Sequence, residues 1–502
     1  MSNDLHWSNI DKRTRTTIMI GLSMGMLIAC LDGTIVSTSL PHIVGDLGGY
    51  EHYSWVFTGF MLCETAMIPI AGKLSDQYGR KPIFLIGIAI FLAGSVLCGI
   101  CGSMTQLIIF RAIQGIGGGM LVPVATAAVA DLYSPTERGK MQGILGSLFA
   151  VAMCLGPFIG GYITDHISWH WVFFINLPIG LAALIFTAKK FPSQEMAETK
   201  ADYTGMALLV AFLFTLLLFF TWAGIEFPWA SIESAAMIAA SAVLLALFIF
   251  NETKAKEPVL RLSMFRNRMF AACAAAMLIF GLGLMGVMAY LPMFMQTVIG
   301  MSATNSGAIM LPFVIGVMIT SMASGFTVKR TGYRPWLIAG PIITAFGMYL
   351  LSTLGMGSSE TTALTYLFVT GLGMGCVMSV IMIAAQNGAS RSEMGMVTSS
   401  VNLFRSIGST IAVGVFTTII NGRIATELWK SVPDIYDQIP HTTGVLEAIA
   451  LFPAYADGII FAYGESVTFA FLIGGIIILF VLLMSIFIKG RPTDMADESI
   501  GE

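Results

Sequence analysis

Apolar runs of about 20 residues, repeated along almost the whole chain, constrain its fold more than any other feature. An α-helix rises about 1.5 Å per residue, so such a run crosses the roughly 30 Å apolar core of a bilayer. Only 11% of the 502 residues are charged, against about 25% in soluble domains. So few charged side chains cannot cover the outside of a soluble fold of this size. The sequence therefore predicts an all-α polytopic membrane protein, with fourteen spans at 17–42, 54–74, 82–101, 105–131, 140–163, 169–188, 204–223, 232–250, 269–293, 304–326, 335–355, 362–386, 397–420 and 464–488.

The basic residues test this count and indicate an orientation. If both termini lie in the cytoplasm, 22 of the 26 Lys and Arg residues fall on cytoplasmic segments. The four exceptions are Arg423 and Lys430 on the outer side, and Arg111 and Arg405 inside spans. So large a bias follows the positive-inside rule. A missed span would have reversed the side assigned to every later segment and so removed the bias. We therefore expect a multi-pass protein of the cell membrane with both termini in the cytoplasm.

Two halves of the chain repeat each other. The stretch G-K-L-S-D-Q-Y-G-R-K-P at 72–82 matches G-F-T-V-K-R-T-G-Y-R-P at 325–335 in two glycines and the proline, at an offset of 253 residues. Four further glycines, together with Glu137 and Glu393, match at an offset of 256 residues. Repeats of six spans build transporters whose substrate site lies between the halves. The predicted organisation is a cytoplasmic N-terminus (1–16), a six-helix bundle (17–188), a linker with two additional spans (189–268), a second six-helix bundle (269–488) with a long outer loop (421–463), and a cytoplasmic tail (489–502).

Several motifs along the chain resemble those of one transporter family. The loop at 72–82 is similar to the signature loop of the major facilitator superfamily, and R-A-I-Q-G-I-G-G-G at 111–119 resembles its span-four motif. L-D-G-T-I-V-S-T-S-L-P at 31–41 and W-H-W-V-F-F-I-N-L-P-I-G at 169–180 resemble motifs of the fourteen-span drug:proton antiporters. Span five is similar to the antiporter motif in the spacing of Gly143, Gly156, Pro157, Gly160 and Gly161. The resemblance implies the major facilitator fold of two six-helix bundles plus two central spans, and multidrug efflux.

The signature loop places charges at the end of span two. Asp76 can meet the positive N-terminus of a neighbouring helix and nearby guanidinium groups. Gly79 permits a tight turn, while Arg80 and Lys81 can pair with acids of the other half. The resemblance implies that Gly72 and these residues form a latch between the halves, and the alternative is a plain basic loop that sets topology. Lys329 stands where the second copy of the loop would need the acid, so we expect a degenerate second latch.

Four charges stand out at bilayer depth within predicted spans, where charges are costly and are usually functional. Asp32 lies about 22 Å from the cytoplasmic start of span one and Arg111 about 9 Å from the outer start of span four, so they share a depth. We expect them to pair, either as a proton-coupling element or as a static ion pair. Glu64 is expected to carry a proton, to bind a cationic substrate, or to be a carboxyl satisfied by a neighbour. Arg405 could counter an acid of the first half or repel cations.

The glycines of span five allow close helix packing, and Pro157 is expected to kink the helix. In antiporters, as the resemblance implies, this motif seals leak pathways. Candidate polar residues of a substrate cavity are Gln114, Gln142, Tyr290, Gln296, Gln386, Asn387, Asn402 and Arg405. In the outer loop a short helix is expected near 445–452, and its role as a lid, a partner surface or a passive loop is left open.

The leading interpretation is a proton-coupled antiporter that exports amphipathic, cationic drugs by alternating access. The alternatives are an exporter of one dedicated metabolite, lipid or peptide, and a sensor on a transporter scaffold. An enzyme is not expected, because the sequence has no metalloprotease, hydrolase or P-loop motif. We expect no cofactor, metal or nucleic acid; the expected partners are a small-molecule substrate, protons and the lipid bilayer, with an accessory protein left open.

Overall fold

The computed structural model describes residues 10–48, 55–192, 201–224, 226–301, 310–390, 393–438 and 445–490. Every regular element in these ranges is a helix. In chain order the α-helices are α1 (Lys12–Leu47), α2 (Trp55–Tyr78), α3 (Arg80–Gly99), α4 (Met104–Leu132), α5 (Pro135–His166), α6 (Trp171–Phe174), α7 (Asn176–Lys190), α8 (Tyr203–Trp222), α9 (Ile232–Lys254), α10 (Arg268–Thr297), α11 (Leu311–Thr331), α12 (Arg334–Ser352), α13 (Glu360–Asn387), α14 (Met394–Ser431), α15 (Val445–Leu451), α16 (Ala456–Leu479) and α17 (Val481–Ser485). Parts of the predicted regions lie outside the described residues, including the start of the predicted span 304–326: 1–9, 49–54, 193–200, 225, 302–309, 391–392, 439–444 and 491–502.

Twelve stretches of helix among the described residues are long and apolar enough to cross a membrane. They include α8 and α9, the two helices without a counterpart in the repeat. The predicted count of fourteen is therefore not confirmed. The remaining two predicted spans fall on α5 and α10, which are 32 and 30 residues long. In each of these two helices some side chains lie outside the described residues, and the described apolar stretch of α10 is the shorter segment Arg268–Leu284.

Short polar side chains begin several of the helices. Asp11 accepts a hydrogen bond from the Thr14 N–H at 3.0 Å ahead of α1. Ser103 accepts one from the Gln106 N–H at 3.3 Å at the start of α4. Asp202, in the sequence D-Y-T-G, accepts from the Gly205 N–H at 2.9 Å and starts α8. These caps satisfy N–H groups that have no partner inside the helix. They fix the residue at which each of these helices begins, which a long apolar run alone does not determine.

The outer loop is shorter than its prediction. Helix α14 continues to Ser431, eleven residues past the predicted end at 420, and α16 starts at Ala456 instead of 464. The connection left between them carries α15 where the short helix was expected. Buried apolar side chains from both helix ends and from the loop pack together: Leu428, Val432, Ile435, Ala448 and Ile459. This small apolar cluster explains why both helices continue beyond their predicted ends.

The apolar core falls into separate clusters. One lies wholly within residues 10–191 and another within 264–488. A third joins α2, α8 and α14, with Ile68, Leu209 and Leu403 as buried members. Helix α8 therefore covers the line along which α2 and α14 meet. The partner helix α9 exposes much of its apolar surface, including Ile238 and Phe250.

The two halves meet closely at one end of the helices. We call this the basic end, because Lys73, Arg80, Arg138 and Lys329 lie there. Here α2 packs on α14 and α5 packs on α11 with glycines in the contacts. A Cβ on Gly72 would lie 2.7 Å from the Gly395 carbonyl oxygen, and one on Gly139 would lie 3.2 Å from the Gly325 carbonyl carbon. The backbones approach so closely that no larger side chain fits at either place.

Candidate functional site

Asp32 lies at the centre of a buried polar network inside the first half. The Arg111 guanidinium forms an ion pair with its Oδ2 atom, and both side chains are fully buried. Gln114 and Asn176 donate to its Oδ1 atom at 2.7 and 2.9 Å. The pairing of Asp32 with Arg111, expected from their equal depth, is present. With both oxygens satisfied, the carboxylate is stabilised as an anion in this conformation.

Two members of this network were missed by the sequence reasoning. Asn176 is the first residue of α7, and Ser95 of α3 accepts from both Gln114 and Asn176, at 3.0 and 2.9 Å. Asn176 falls within the motif at 169–180, so its polar side chain in an apolar context was the available signal. Ser95 carried no such signal, because a single serine in an apolar helix usually bonds its own backbone.

Arg111 makes further contacts that hold it in place. Its Nε atom donates to the Val56 carbonyl at 3.4 Å, and its Nη1 atom donates to Gln114 at 2.8 Å. The guanidinium also lies 4.2 Å from the centre of the Phe60 ring. Helix α2 thus contacts the ion pair through Val56 and Phe60. A change in the charge of Asp32 would reach α2 through these contacts.

Glu64 and Arg405 lie within electrostatic range of each other across the two halves, Glu64 on α2 and Arg405 on α14. The field of Glu64 also acts on Arg111, Asp32 and Cys30. Within the described part of the chain, Glu64 is half-buried and forms no ion pair shorter than 4.0 Å. It is therefore an acid within α2 that, unlike Asp32, has no ion-pair partner among the described residues.

A cavity of about 40 Å³ lies between the halves next to Arg405. Four methionines and a few polar side chains line it: Met26, Met277, Met378, Met382, Gln142, Asn402 and Arg405. In this conformation the cavity holds about one water molecule. Methionine side chains repack readily, so this wall can adapt to ligands of different shape.

The other predicted cavity residues lie elsewhere. Gln114 belongs to the Asp32 network, because Asp32 and Arg111 use its amide. Gln386 binds Gln142 across the halves at 3.0 Å. Asn387 accepts from Arg138 at 3.0 Å at the basic end.

Near the opposite end, Tyr290 hydrogen-bonds Thr417. Gln296 lies half-buried on the last turn of α10.

Asp76 connects the two halves at the basic end. Its two carboxylate oxygens accept the N–H groups of Gly395 and Met396, at 2.9 and 2.8 Å, in the first turn of α14. Arg80 forms an ion pair with Asp76 at 2.5 Å. The expected meeting of this acid with a helix N-terminus and a guanidinium is present. We call this arrangement the Asp76 corner.

The bases of the signature loop pair differently from the prediction. Arg80 is buried and pairs with Asp131 of α4, an acid of its own half, at 2.9 Å. Lys81 forms no ion pair among the described residues. Lys73 is buried and pairs at 2.8 Å with Glu257 of the linker. Gly79 has a φ of 90°, the left-handed conformation that the expected turn requires.

The glycines of α5 serve two different contacts. Gly143 packs against the Ser321 backbone of α11, in the other half. Gly156 and Gly160 pack against α1, where a Cβ on either would collide with Thr34 or Ile35. Gly161 does not take part, since no described atom lies within 4 Å of where its Cβ would be. Pro157 lies within α5, and its side chain is outside the described residues.

Comparisons with known proteins agree with this architecture. The family model described as Major Facilitator Superfamily matches residues 22–413. The multidrug transporter protein MdtP of Bacillus subtilis is 39% identical over 427 residues, which cover 85% of this chain and 79% of that protein. Multidrug resistance protein 3 of the same organism is 38% identical over 403 residues, covering 80% and 79%. The human organic anion transporter MFSD10 shares the fold at 15% identity with a TM-score of 0.62, over 92% of this chain and 99% of that one.

Proposed function

This chain belongs to the major facilitator superfamily, and on that premise we propose that it is a proton-coupled antiporter that exports amphipathic, cationic drugs by alternating access. The family makes it a multi-pass membrane transporter and not an enzyme. Its similarity to proteins named as multidrug transporters supports drug export. Proton coupling and the charge of the substrate are the parts that this proposal adds.

We further propose that α5 and α10 also cross the membrane, which gives fourteen spans. The bundles at 17–188 and 269–488 are then the two moving halves, and 189–268 carries the additional pair of spans. The excess of Lys and Arg supports a cytoplasmic basic end, with both termini on that side. Substrate would then be taken up from the basic end and released at the opposite end.

The observation that carries the proposal is the buried Asp32 carboxylate with its Arg111 partner. In this conformation the basic end is closed and the anion has three donors. Protonation would remove the charge that Arg111 needs, and a buried guanidinium without a counter-charge is costly. The contacts of Arg111 with α2 would then change, and α2 carries the Asp76 corner. A proton on Asp32 is thereby coupled to the closing of the basic end.

Glu64 is proposed as the second acid of the coupling mechanism. It lies near the Arg405 side chain, which lines the cavity between the halves. A cationic substrate in that cavity would be repelled by Arg405 unless Glu64 is charged. Binding of the substrate and protonation of Glu64 would therefore exclude each other, as an exchange of proton for cation requires.

The test is ethidium transport by purified protein in liposomes with an imposed pH gradient. The wild-type protein is expected to transport ethidium only with the gradient. Asp32→Asn is expected to abolish gradient-driven transport, and Glu64→Gln to weaken it. A matched control is Glu137→Gln, because Glu137 is an exposed acid outside the Asp32 network and outside the cavity beside Arg405. Size-exclusion chromatography would verify that each variant is folded.

Wild-type transport rates in folded Asp32→Asn would refute the coupling role of Asp32. Transport that ignores the gradient would refute proton coupling as a whole. Absence of transport for every cationic dye tried, with neutral amphipathic compounds still exported, would refute the preference for cations.

A further inference from the structure

A cavity of about 200 Å³ lies at the basic end, inside the second half. Its walls come from the linker, the first turn of α10, the end of α13 and the start of α14. Met264, Phe270 and Val397 supply apolar surface, while Asn267 and Glu393 supply polar atoms. It is separate from the cavity beside Arg405, with which it shares no lining residue. Neither the Asp32 network nor the Asp76 corner uses it.

The internal repeat indicates what this cavity lacks. Glu393 is the counterpart of Glu137 at an offset of 256 residues, and at that offset Ala389 is the counterpart of Tyr133. In the first half the Tyr133 ring is buried at the end of α4, with the Arg15 guanidinium 5.6 Å from its centre. Ala389 lines the cavity in the second half. The second half therefore has an alanine methyl group beside this cavity at the position where the first half has a tyrosine ring.

A guanidinium–carboxylate pair is present in both halves, although Arg261 comes from the linker and is not the repeat counterpart of Arg15. In the first half Arg15 pairs with Glu137 at 3.4 Å above Tyr133. In the second half Arg261 pairs with Glu393 at 2.7 Å, and Ser390 also donates to Glu393 at 2.8 Å. The guanidinium–carboxylate pair is thus retained where the ring is missing. A guanidinium favours the face of an aromatic ring as its neighbour.

We propose that this cavity is a binding site for a small neutral aromatic compound with one polar group, of the size of a phenol. An engineered apolar cavity of roughly 150 Å³ binds benzene, so the volume here accommodates one substituted ring. The ring lies against Met264, Phe270 and Val397, beside Glu393, and the polar group points to Asn267 and the solvent.

The neutrality of the ligand follows from both halves of the repeat. Burial raises the pKa of Tyr133, so the ring that fills the first half stays uncharged at neutral pH. In the second half Glu393 already has Arg261 and Ser390 as partners, so an incoming charge would have to displace one of them. A neutral ring needs no such displacement.

The test is photolabelling of the full-length protein in lipid nanodiscs with 4-azidophenol, followed by mass spectrometry of its peptides. We expect label on 263–270 and 384–397, and we expect excess phenol to compete while cyclohexanol does not. Ala389→Tyr restores the missing ring and should reduce this labelling about tenfold, since the ring then occupies the apolar volume. Tyr133→Phe is the matched control and should leave the labelling unchanged.

A second variant makes the converse prediction. Tyr133→Ala opens the equivalent space in the first half, so folded protein should acquire new label between 133 and 141. Equal labelling of wild type and Ala389→Tyr, or label on peptides remote from the cavity, would overturn the proposal. The measurement needs no pH gradient, so failed ethidium transport with retained labelling would refute the transport mechanism and leave this site in place.

Discussion

The two corners at which the halves meet at the basic end occupy equivalent places in the repeat and use different chemistry. At both, glycine backbones are in contact: Gly72 with Gly395, and Gly325 with Gly139. The Asp76 corner adds buried charges, because Asp76 and Asp131 hold Arg80 between them. At the equivalent place in the second half, Tyr333 stands for Arg80 and Asn387 for Asp131, and they form a neutral hydrogen bond of 3.0 Å. We call the latter the Asn387 corner.

The difference indicates that close packing and charge have separate tasks. Glycine contact alone brings the backbones together at both corners. The buried charges of the Asp76 corner need all their partners, and breaking such an arrangement is costly. At the Asn387 corner Arg138 donates to Asn387 across the halves, and it also donates to the Tyr133 and Ala130 carbonyls of its own half. We infer that the Asp76 corner controls opening and that the Asn387 corner follows.

The largest expected effect comes from removing the charge of the Asp76 corner. Asp76→Asn keeps the size of the side chain but leaves Arg80 with only Asp131 as its acid. We expect the closed state to lose about 3 kcal/mol, the lower end of the range for a broken buried ion pair. The measurement is the distance between spin labels at Lys12 and Arg268, exposed residues of opposite halves at the basic end. The closed population should fall sharply in the variant.

Neutralising Asp131, the other acid that pairs with Arg80, provides the control. Asp131→Asn leaves the link to α14 intact and should change the closed population less than Asp76→Asn does. If both variants keep the wild-type distance distribution, charge does not control the Asp76 corner and the comparison fails.

A smaller effect is expected at the Asn387 corner. Tyr333→Phe removes the hydroxyl that accepts from Asn387 and so loosens the acceptor that Arg138 reaches. The loss should be about 1 kcal/mol, as for a single hydrogen bond. The same pair of spin labels measures it. A larger loss than in Asp76→Asn would reverse the roles assigned to the two corners.

The sequence predicted the parts of this arrangement that depend on one helix or one repeat unit. The Asp32–Arg111 pair was found because a charge in an apolar run is costly and needs a partner of equal depth. Asp76 was found from the signature loop at the end of span two, where an acid can meet a helix N-terminus. The turn at Gly79 follows from local chemistry. These features can be recognised from the sequence without knowledge of the tertiary structure.

The misses concern contacts between distant helices. Arg80 has Asp131 as a partner because α3 starts beside the end of α4, which no local pattern reveals. Gln386 resembles a cavity residue in sequence, yet it does not line the cavity beside Arg405 and instead accepts from Gln142 across the halves. The ends of α14 and α16 were misplaced because the loop between them packs on both helices. Such packing overrides the length and polarity from which span ends are predicted.

The smallest expected effect sharpens the comparison by adding an acid where the second corner lacks one. Lys329 is exposed and stands at the position equivalent to Asp76. The first turns of α5, with Gly139 and Lys140, stand where α14 presents the N–H groups of Gly395 and Met396 to Asp76. Lys329→Asp should therefore place a carboxylate near the N-terminus of α5 and stabilise the closed state by about 0.5 kcal/mol, the size of a helix-dipole contact.

Lys329→Asn, which has the same shape without the charge, is the control. The shift should appear as a larger closed population in the spin-label distances and should weaken at high salt, as an exposed charge requires. An equal shift in both variants would mean that loss of the lysine, and not the new acid, stabilises the closed Asn387 corner. The stability of the Asp76 corner would then come more from Arg80 and Asp131 than from the helix N-terminus.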